Sequence, residues 1–188
     1  MSRVRVGIIG AGLMGDLHAR VLKDLENVEI KACCDTNKGK AEALQKRYGV
    51  EQAYSSVEEM LKKTSLDAVF ICTPPSFHRE PAVQAIKAGK HVFIEKPLAA
   101  NFADGQAIVE AAKERGVKLQ VGYHWRFENT VKIFKELQSS GKIGRPVQFL
   151  GRYWTSFNES LPAWWTDPEI SGGQTVEQVT HMYDLSRY

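Results

Sequence analysis

Short apolar blocks alternate with stretches of helical spacing along the first two thirds of the chain. Val4-Arg-Val-Gly-Ile-Ile9 reads as a strand, Leu17 to Leu25 as a helix, and Val28-Glu-Ile-Lys-Ala-Cys-Cys34 as a second strand. Residues 38 to 48 carry helical periodicity and stop at Gly49, a residue suited to the left-handed backbone that ends helices. Ser56 to Lys63 forms a further short helix, with Ser56 as cap and Glu59 three residues on completing a capping box. Ala68-Val-Phe-Ile-Cys72 is unbroken apolar sequence, the pattern of a parallel strand covered on both faces.

Glu80 to Ala88 returns to helix and closes at Gly89, and His91-Val-Phe-Ile-Glu95 returns to strand. Asn101 to Arg115 is a longer amphipathic helix stopped by Gly116, and Val117-Lys-Leu-Gln-Val121 reads as a further strand. Right-handed crossovers leave few ways to connect such elements. Residues 1–122 are therefore predicted to be an α/β, doubly wound parallel sheet of Rossmann type.

The pattern then changes. Asn129 to Ser139 is predicted helix, Gly141-Lys-Ile-Gly144 a turn, Val147 to Phe157 a long alternating strand, Pro162 to Pro168 an aromatic loop, and Gln174 to Tyr188 a helix. With about 66 residues and one clear strand, residues 123–188 are poorly suited to a core of their own. The chain also stops without a helix cap or breaker. The expectation is an incomplete second domain packed directly on the first, since no linker, repeat or low-complexity segment intervenes.

Composition narrows the function classes. Of 188 residues, 43% are hydrophobic and 25% charged, ordinary for a globular protein, and a net charge of +3 is too mild and dispersed to argue for nucleic acid or an anionic membrane. No run approaches bilayer length. Arg3 and Arg5 precede an apolar stretch, but glycines interrupt it and Asp16 and His18 soon end it, so it reads as mature structure and not a secretion signal. Cys33, Cys34 and Cys72 are odd in number, fall in predicted strands and match no zinc or redox spacing. They read as reduced core thiols of a cytoplasmic protein.

Gly10-Ala-Gly12-Leu13-Met14-Gly15 lies between the first strand and first helix, the context in which a glycine turn binds a dinucleotide. The first glycine permits the turn, the second admits a pyrophosphate, and the third lets helix and strand pack closely; phosphate then meets the free N–H groups of the helix start. Asp35, 20 residues past Gly15 at the end of the second strand, is placed to accept from both adenosine ribose hydroxyls and to repel a 2′-phosphate. NAD is favoured. The competing role for Asp35 is a cap on the following helix, and Lys38 supplies a cation that NADP would use.

Thr73, Pro74 and His78 follow a buried strand on the ligand-binding edge of the sheet, where Thr73 and His78 can donate to ribose or phosphate; Ser76 competes as the cap of a plain turn. Glu95-Lys96-Pro97-Leu98 ends the next strand on that edge, with Lys96 able to hold a substrate hydroxyl; alone, it would read as a solvated lysine. Glu177, His181 and Asp184 share one face if their segment is a single helix, and His181 has the side chain suited to proton transfer near neutrality. A solvated polar stripe and a metal site compete, but the spacing lacks the two-histidine motif, and no metal is expected.

On these residues the chain resembles the glucose-fructose oxidoreductase/inositol dehydrogenase/MocA (Gfo/Idh/MocA) family, through the glycine turn, Thr73-Pro74-Pro75, Glu95-Lys-Pro-Leu98, Gly122-Tyr-His-Trp-Arg-Phe127 and the terminal Gly-Gly…His…Asp segment. The resemblance implies a second α+β domain on a mostly antiparallel open sheet, NAD or NADP as cofactor, a sugar or polyol substrate oxidised or reduced at a carbinol carbon, and a dimer or tetramer. It implies that Lys96 orients hydroxyl and cofactor beside Glu95, that His181 is the acid/base, and that Arg126 touches cofactor. Glu177 stands where many members have Asp, and Val179 where many have Gly. Tyr153, Trp164 and Trp165 are candidates for a sugar-stacking wall or for aromatic core packing, and Asp184 for a substrate contact. Rival readings are a non-catalytic NAD sensor and a same-scaffold enzyme, such as a dihydrodiol dehydrogenase-like reductase of a non-sugar carbonyl or an NAD-dependent glycoside-cleaving member.

Overall fold

The structure, a computed structural model, describes residues 3–153 and 162–188. Strands β1 (Val4–Ile9), β2 (Val28–Cys34), β3 (Gln52–Tyr54), β4 (Ala68–Ile71), β5 (His91–Ile94) and β6 (Leu119–Val121) form one sheet in the order β3-β2-β1-β4-β5-β6. Every pairing is parallel. The order reverses between β1 and β4, which opens a crevice at their carboxyl ends.

Helices cover both faces, as an all-parallel sheet requires. On one face α1 (Leu13–Lys23) and α2 (Lys38–Tyr48) bury Ala19, Leu22, Ala41 and Leu44 against Ile8 and Cys33. On the other, α3 (Val57–Lys63), α4 (Arg79–Lys87) and α5 (Phe102–Arg115) bury Met60, Ile86 and Ile108 against Val69, Ile71 and Ile94. Gly7 lets β1 lie against this layer, since a Cβ there would stand 2.8 Å from Leu66 Cδ1.

The sequence boundaries agree closely, with instructive exceptions. Gly49 and Gly116 end their helices in the left-handed region, and Asn101 caps α5 by accepting from Asp104 N. Ser56 caps α3 through Glu59 N, but Glu59 Oε1 accepts from Lys63 instead of completing the box. β3 escaped notice because three residues are too few to show a period.

Beyond β6 come α6 (Asn129–Ser139), a turn through Gly141 and Gly144, α7 (Pro168–Ser171), α8 (Gly173–Glu177) and α9 (Thr180–Arg187). The strand expected over 147–157 is absent from its described part, 147–153; Val147 is 90% exposed, and among the described residues no neighbouring strand supplies a ladder. Residues 154–157 lie outside the described residues. The aromatic loop carries a 3-10 turn at Ala163–Thr166, and the helix expected from Gln174 is broken at Gln178–Val179.

Candidate cofactor and reaction site

A cleft of about 810 Å³ runs along the carboxyl ends of β1, β2, β4 and β5. Its floor is the glycine turn. Gly10 has φ +94°, and a Cβ there would come within 2.8 Å of the Cys72 carbonyl carbon. Gly15 abuts β1 so closely that a Cβ would meet Gly10 O at 1.9 Å. Gly12 differs: open space lies where its Cβ would project, and no side chain caps the start of α1. Leu13 and Met14 line the cleft beside it. Open backbone, uncapped N–H groups and helix dipole together fit a diphosphate.

Asp35 lines the cleft at the end of β2. Its Oδ2 accepts from Ala11 N and its Oδ1 from Asn37 N, both at 2.8 Å, so the carboxylate is aimed by the turn it faces. The helix cap is Asn37, which accepts from Lys40 N. Asp35 is thereby free of the role that competed with ribose. Lys38 extends outward, 70% exposed and 3.6 Å from Glu42, whereas Lys40 lines the cleft; the cation at this rim is two residues further on than expected.

Thr73 and Pro74 form the opposite wall, with Thr73 Oγ1 donating to Phe77 O at 3.1 Å. His78 does not reach the cleft. Its ring is wholly buried, with Nε2 2.7 Å from Thr73 O and Nδ1 3.1 Å from Pro97 O and 3.3 Å from Leu98 O. Burial pushes its pKa down. It lies between the loop after β4 and the loop after β5, its one N–H donating to a carbonyl of either loop, away from the cleft where a cofactor contact was expected. Nor does Ser76 cap a helix; its Oγ is buried without a partner.

Glu95, Lys96 and Glu177 line the far end of the cleft. Glu95 accepts from Lys96 N at 3.2 Å and lies 2.6 Å from His18 Nε2, whose ring packs on Phe70 and Phe93. His18 carries no motif of its own; its position three residues after Gly15, facing the same sheet edge, is the one signal of this role in the sequence. Lys96 Nζ donates to Glu177 Oε1 at 2.5 Å and to Glu177 O at 2.8 Å. The break after α8 turns Glu177 to Lys96, so Glu177 shares no helix with His181 and Asp184.

His181 lies on α9, 4% exposed, and is not part of the cleft wall. Its ring stacks on Trp125 at 4.5 Å and 13°, and Nδ1 is buried without a partner. Burial first, then the Lys96 charge and His124, hold its pKa down to about 4. Arg126 is spent elsewhere: Nε donates to Asp184 Oδ2 at 2.8 Å and Nη2 to Asp184 Oδ1, outside the cleft. A cofactor contact was expected of Arg126 and a substrate contact of Asp184; here the two side chains bind each other. Tyr153 donates to Gln178 Oε1 at 2.8 Å and packs on Trp125, a structural place. Trp164 and Trp165 do line the cleft, edge to face at 5.9 Å.

Cys34 and Cys72 also touch the cleft, but burial pushes the Cys34 thiol up to about 12 and Cys72 well above its usual value, which favours the protonated thiol over the thiolate. Among the described residues no group of three or more His, Cys, Asp or Glu could hold a metal, and no helix is long and apolar enough to cross a membrane.

Residues 4–123 match the family described as "Oxidoreductase family, NAD-binding Rossmann fold". A myo-inositol 2-dehydrogenase of Thermotoga maritima is 32% identical over 98% of this chain and 54% of its own length. An NAD binding oxidoreductase from Klebsiella pneumoniae superposes with a TM-score of 0.89 at 31% identity, covering 100% of this chain and 53% of that one. A scyllo-inositol dehydrogenase from Lactobacillus casei with bound NAD(H) and scyllo-inositol superposes with a TM-score of 0.72 at 29% identity, covering 76% and 43%. The chain spans about half the length of the curated relatives it matches.

Proposed function

This chain belongs to the Gfo/Idh/MocA oxidoreductase family, and from that premise we propose that the whole protein transfers a hydride between NAD and a secondary alcohol carbon of a sugar or cyclic polyol. The carrying observation is that one cleft holds the glycine turn, Asp35 and the Lys96 ammonium. Residues 1–122 bind the nucleotide. Residues 123–188 begin the domain that closes over substrate in a cytoplasmic homo-oligomer.

The turn at Gly10, Gly12 and Gly15 and the first N–H groups of α1 hold the diphosphate, and Asp35 accepts from the ribose. Bound NAD supplies the two-electron acceptor for the carbinol hydride. The remaining work belongs to side chains. Lys96 donates to the reacting oxygen and stabilises it as its proton leaves; Glu177 aims that ammonium. His181 is not in the cleft wall itself but lies near enough to Lys96 for that charge to act on its ring; reached by the substrate hydroxyl it would take the proton while the carbinol hydride leaves to NAD, so a C–H and an O–H bond break as a carbonyl forms. Trp164 and Trp165 offer apolar faces to the C–H side of a sugar ring.

The experiment is a substrate panel on the full-length protein. Sugars, cyclic polyols, aromatic diols and non-sugar carbonyl compounds are offered with NAD or NADH, and the change in NADH absorbance is followed. Turnover of a sugar or polyol, lost in His181→Ala while NAD affinity persists, supports the reading. An enzyme that binds NAD tightly yet turns over none of the panel is a sensor, and the reading fails.

A further inference from the structure

Three side chains of the segment after β6 meet three of α9 in register. Tyr123 Oη lies 2.9 Å from Thr180 Oγ1, Trp125 stacks on His181, and Arg126 forks onto Asp184. Of these, the stack is the least directional. His124 and Tyr123 flank the ring edge-on at 4.9 and 6.1 Å, but such contacts, like the stack, fix no hydrogen-bonded orientation, and the buried Nδ1 of His181 has no partner that would. The Arg126–Asp184 fork is the opposite kind of contact, two parallel charge-assisted bonds with a fixed plane.

We infer that Arg126 and Asp184 are positioning residues for His181. Asp184 lies one helical turn beyond His181 on α9, and Arg126 follows Trp125 in the chain, so locking the second pair sets the phase of the helix that carries the first. The fork is well supported. The Asp184 side chain is 7% exposed, and the guanidinium sits 4.8 Å from the Tyr188 ring centroid and 5.8 Å from that of Tyr123. Neither charged group lines the cleft, whereas the His181 ring, though also outside the cleft wall, feels the Lys96 charge, so the pair bears on the reaction through the ring it orients. The inference rests on the proposed proton-accepting role of His181.

The test reads the ring directly and needs no turnover. Full-length protein carrying 13C-labelled histidine is compared by NMR in native form and as Asp184→Asn, Arg126→Gln and Arg126→Lys, with the His181 signal identified by its loss in His181→Gln. Protons over the indole face resonate upfield. All three variants are expected to lose that upfield displacement, with His124 shifting beside it because its ring lies 4.9 Å from that of His181, while the signals of His18, His78 and His91 and the NAD affinity stay unchanged; Arg126→Lys belongs with them because an ammonium cannot form the fork. A native-like His181 signal in any of the three overturns the inference. So does a disturbance of every histidine in all three, which would make the pair a support of the fold and not of the ring. Failure of the proton-accepting role shows separately, as unchanged turnover in His181→Ala, and failure of the dehydrogenase reading as no turnover of any substrate in the panel.

Discussion

Lys96 and Glu177 are joined twice, through the carboxylate at 2.5 Å and the main-chain oxygen at 2.8 Å, so the end of β5 is bound to the break between α8 and α9. Both side chains are largely buried, 14% and 6% exposed. A buried pair is costly to break from one side, because the survivor keeps an uncompensated charge.

Lys96→Met is therefore expected to destabilise the protein by about 3–5 kcal/mol, and Lys96→Met/Glu177→Gln to recover much of that loss. Activity should follow a different course, falling by about 10²–10³-fold in both. Urea midpoints paired with steady-state rates decide it. A double variant that regains turnover along with stability would remove Lys96 from the chemistry.

Gly12 and Gly15 should separate binding from folding. Gly15→Ala forces a Cβ against Gly10 O and is expected to cost about 2–4 kcal/mol. Gly12→Ala meets nothing in the protein, so its Tm should hold while NAD affinity drops by about 1.4 kcal/mol or more, a factor of ten. Calorimetric titration beside a melting curve checks both. Native NAD affinity in Gly12→Ala would empty the turn of its proposed diphosphate.

The His181 pKa of about 4 carries a signed pH dependence. The unfolded ring titrates near 6.5, so between about 6.5 and 4 the unfolded chain binds the extra proton and stability falls as pH falls. The full contribution, about 3 kcal/mol, is present above that window and lost below it. His181→Gln should flatten the urea midpoint between pH 7 and 4.5, relative to native protein. Parallel curves for the two proteins count against a buried neutral ring.

His78 makes a prediction about shape. Replacing it with Ala leaves the carbonyls of Thr73, Pro97 and Leu98 without the ring, and a loss of about 1–3 kcal/mol is expected. Because the two loops it joins carry Thr73 and Lys96, NAD affinity should weaken as well. Full affinity in a destabilised His78→Ala protein would show that the loops hold their places without it.

Much of this molecule is local and so was readable along the chain. Strands covered on both faces spell continuous apolar runs, glycines mark where helices must stop, and the spacing from Gly10 to Asp35 follows from one βαβ unit whose geometry admits little variation. Which way a polar side chain turns is not local. His78, Arg126 and Asp184 carry chemistry suited to a ligand, yet each found a protein partner from a distant segment, and a buried polar group must be satisfied wherever the nearest partner lies. The break at Gln178 likewise answers to Lys96, a residue on another element, and helical spacing holds no record of it. Periodicity settles what each segment becomes; only packing the segments together decides which of their side chains are left to face the cleft.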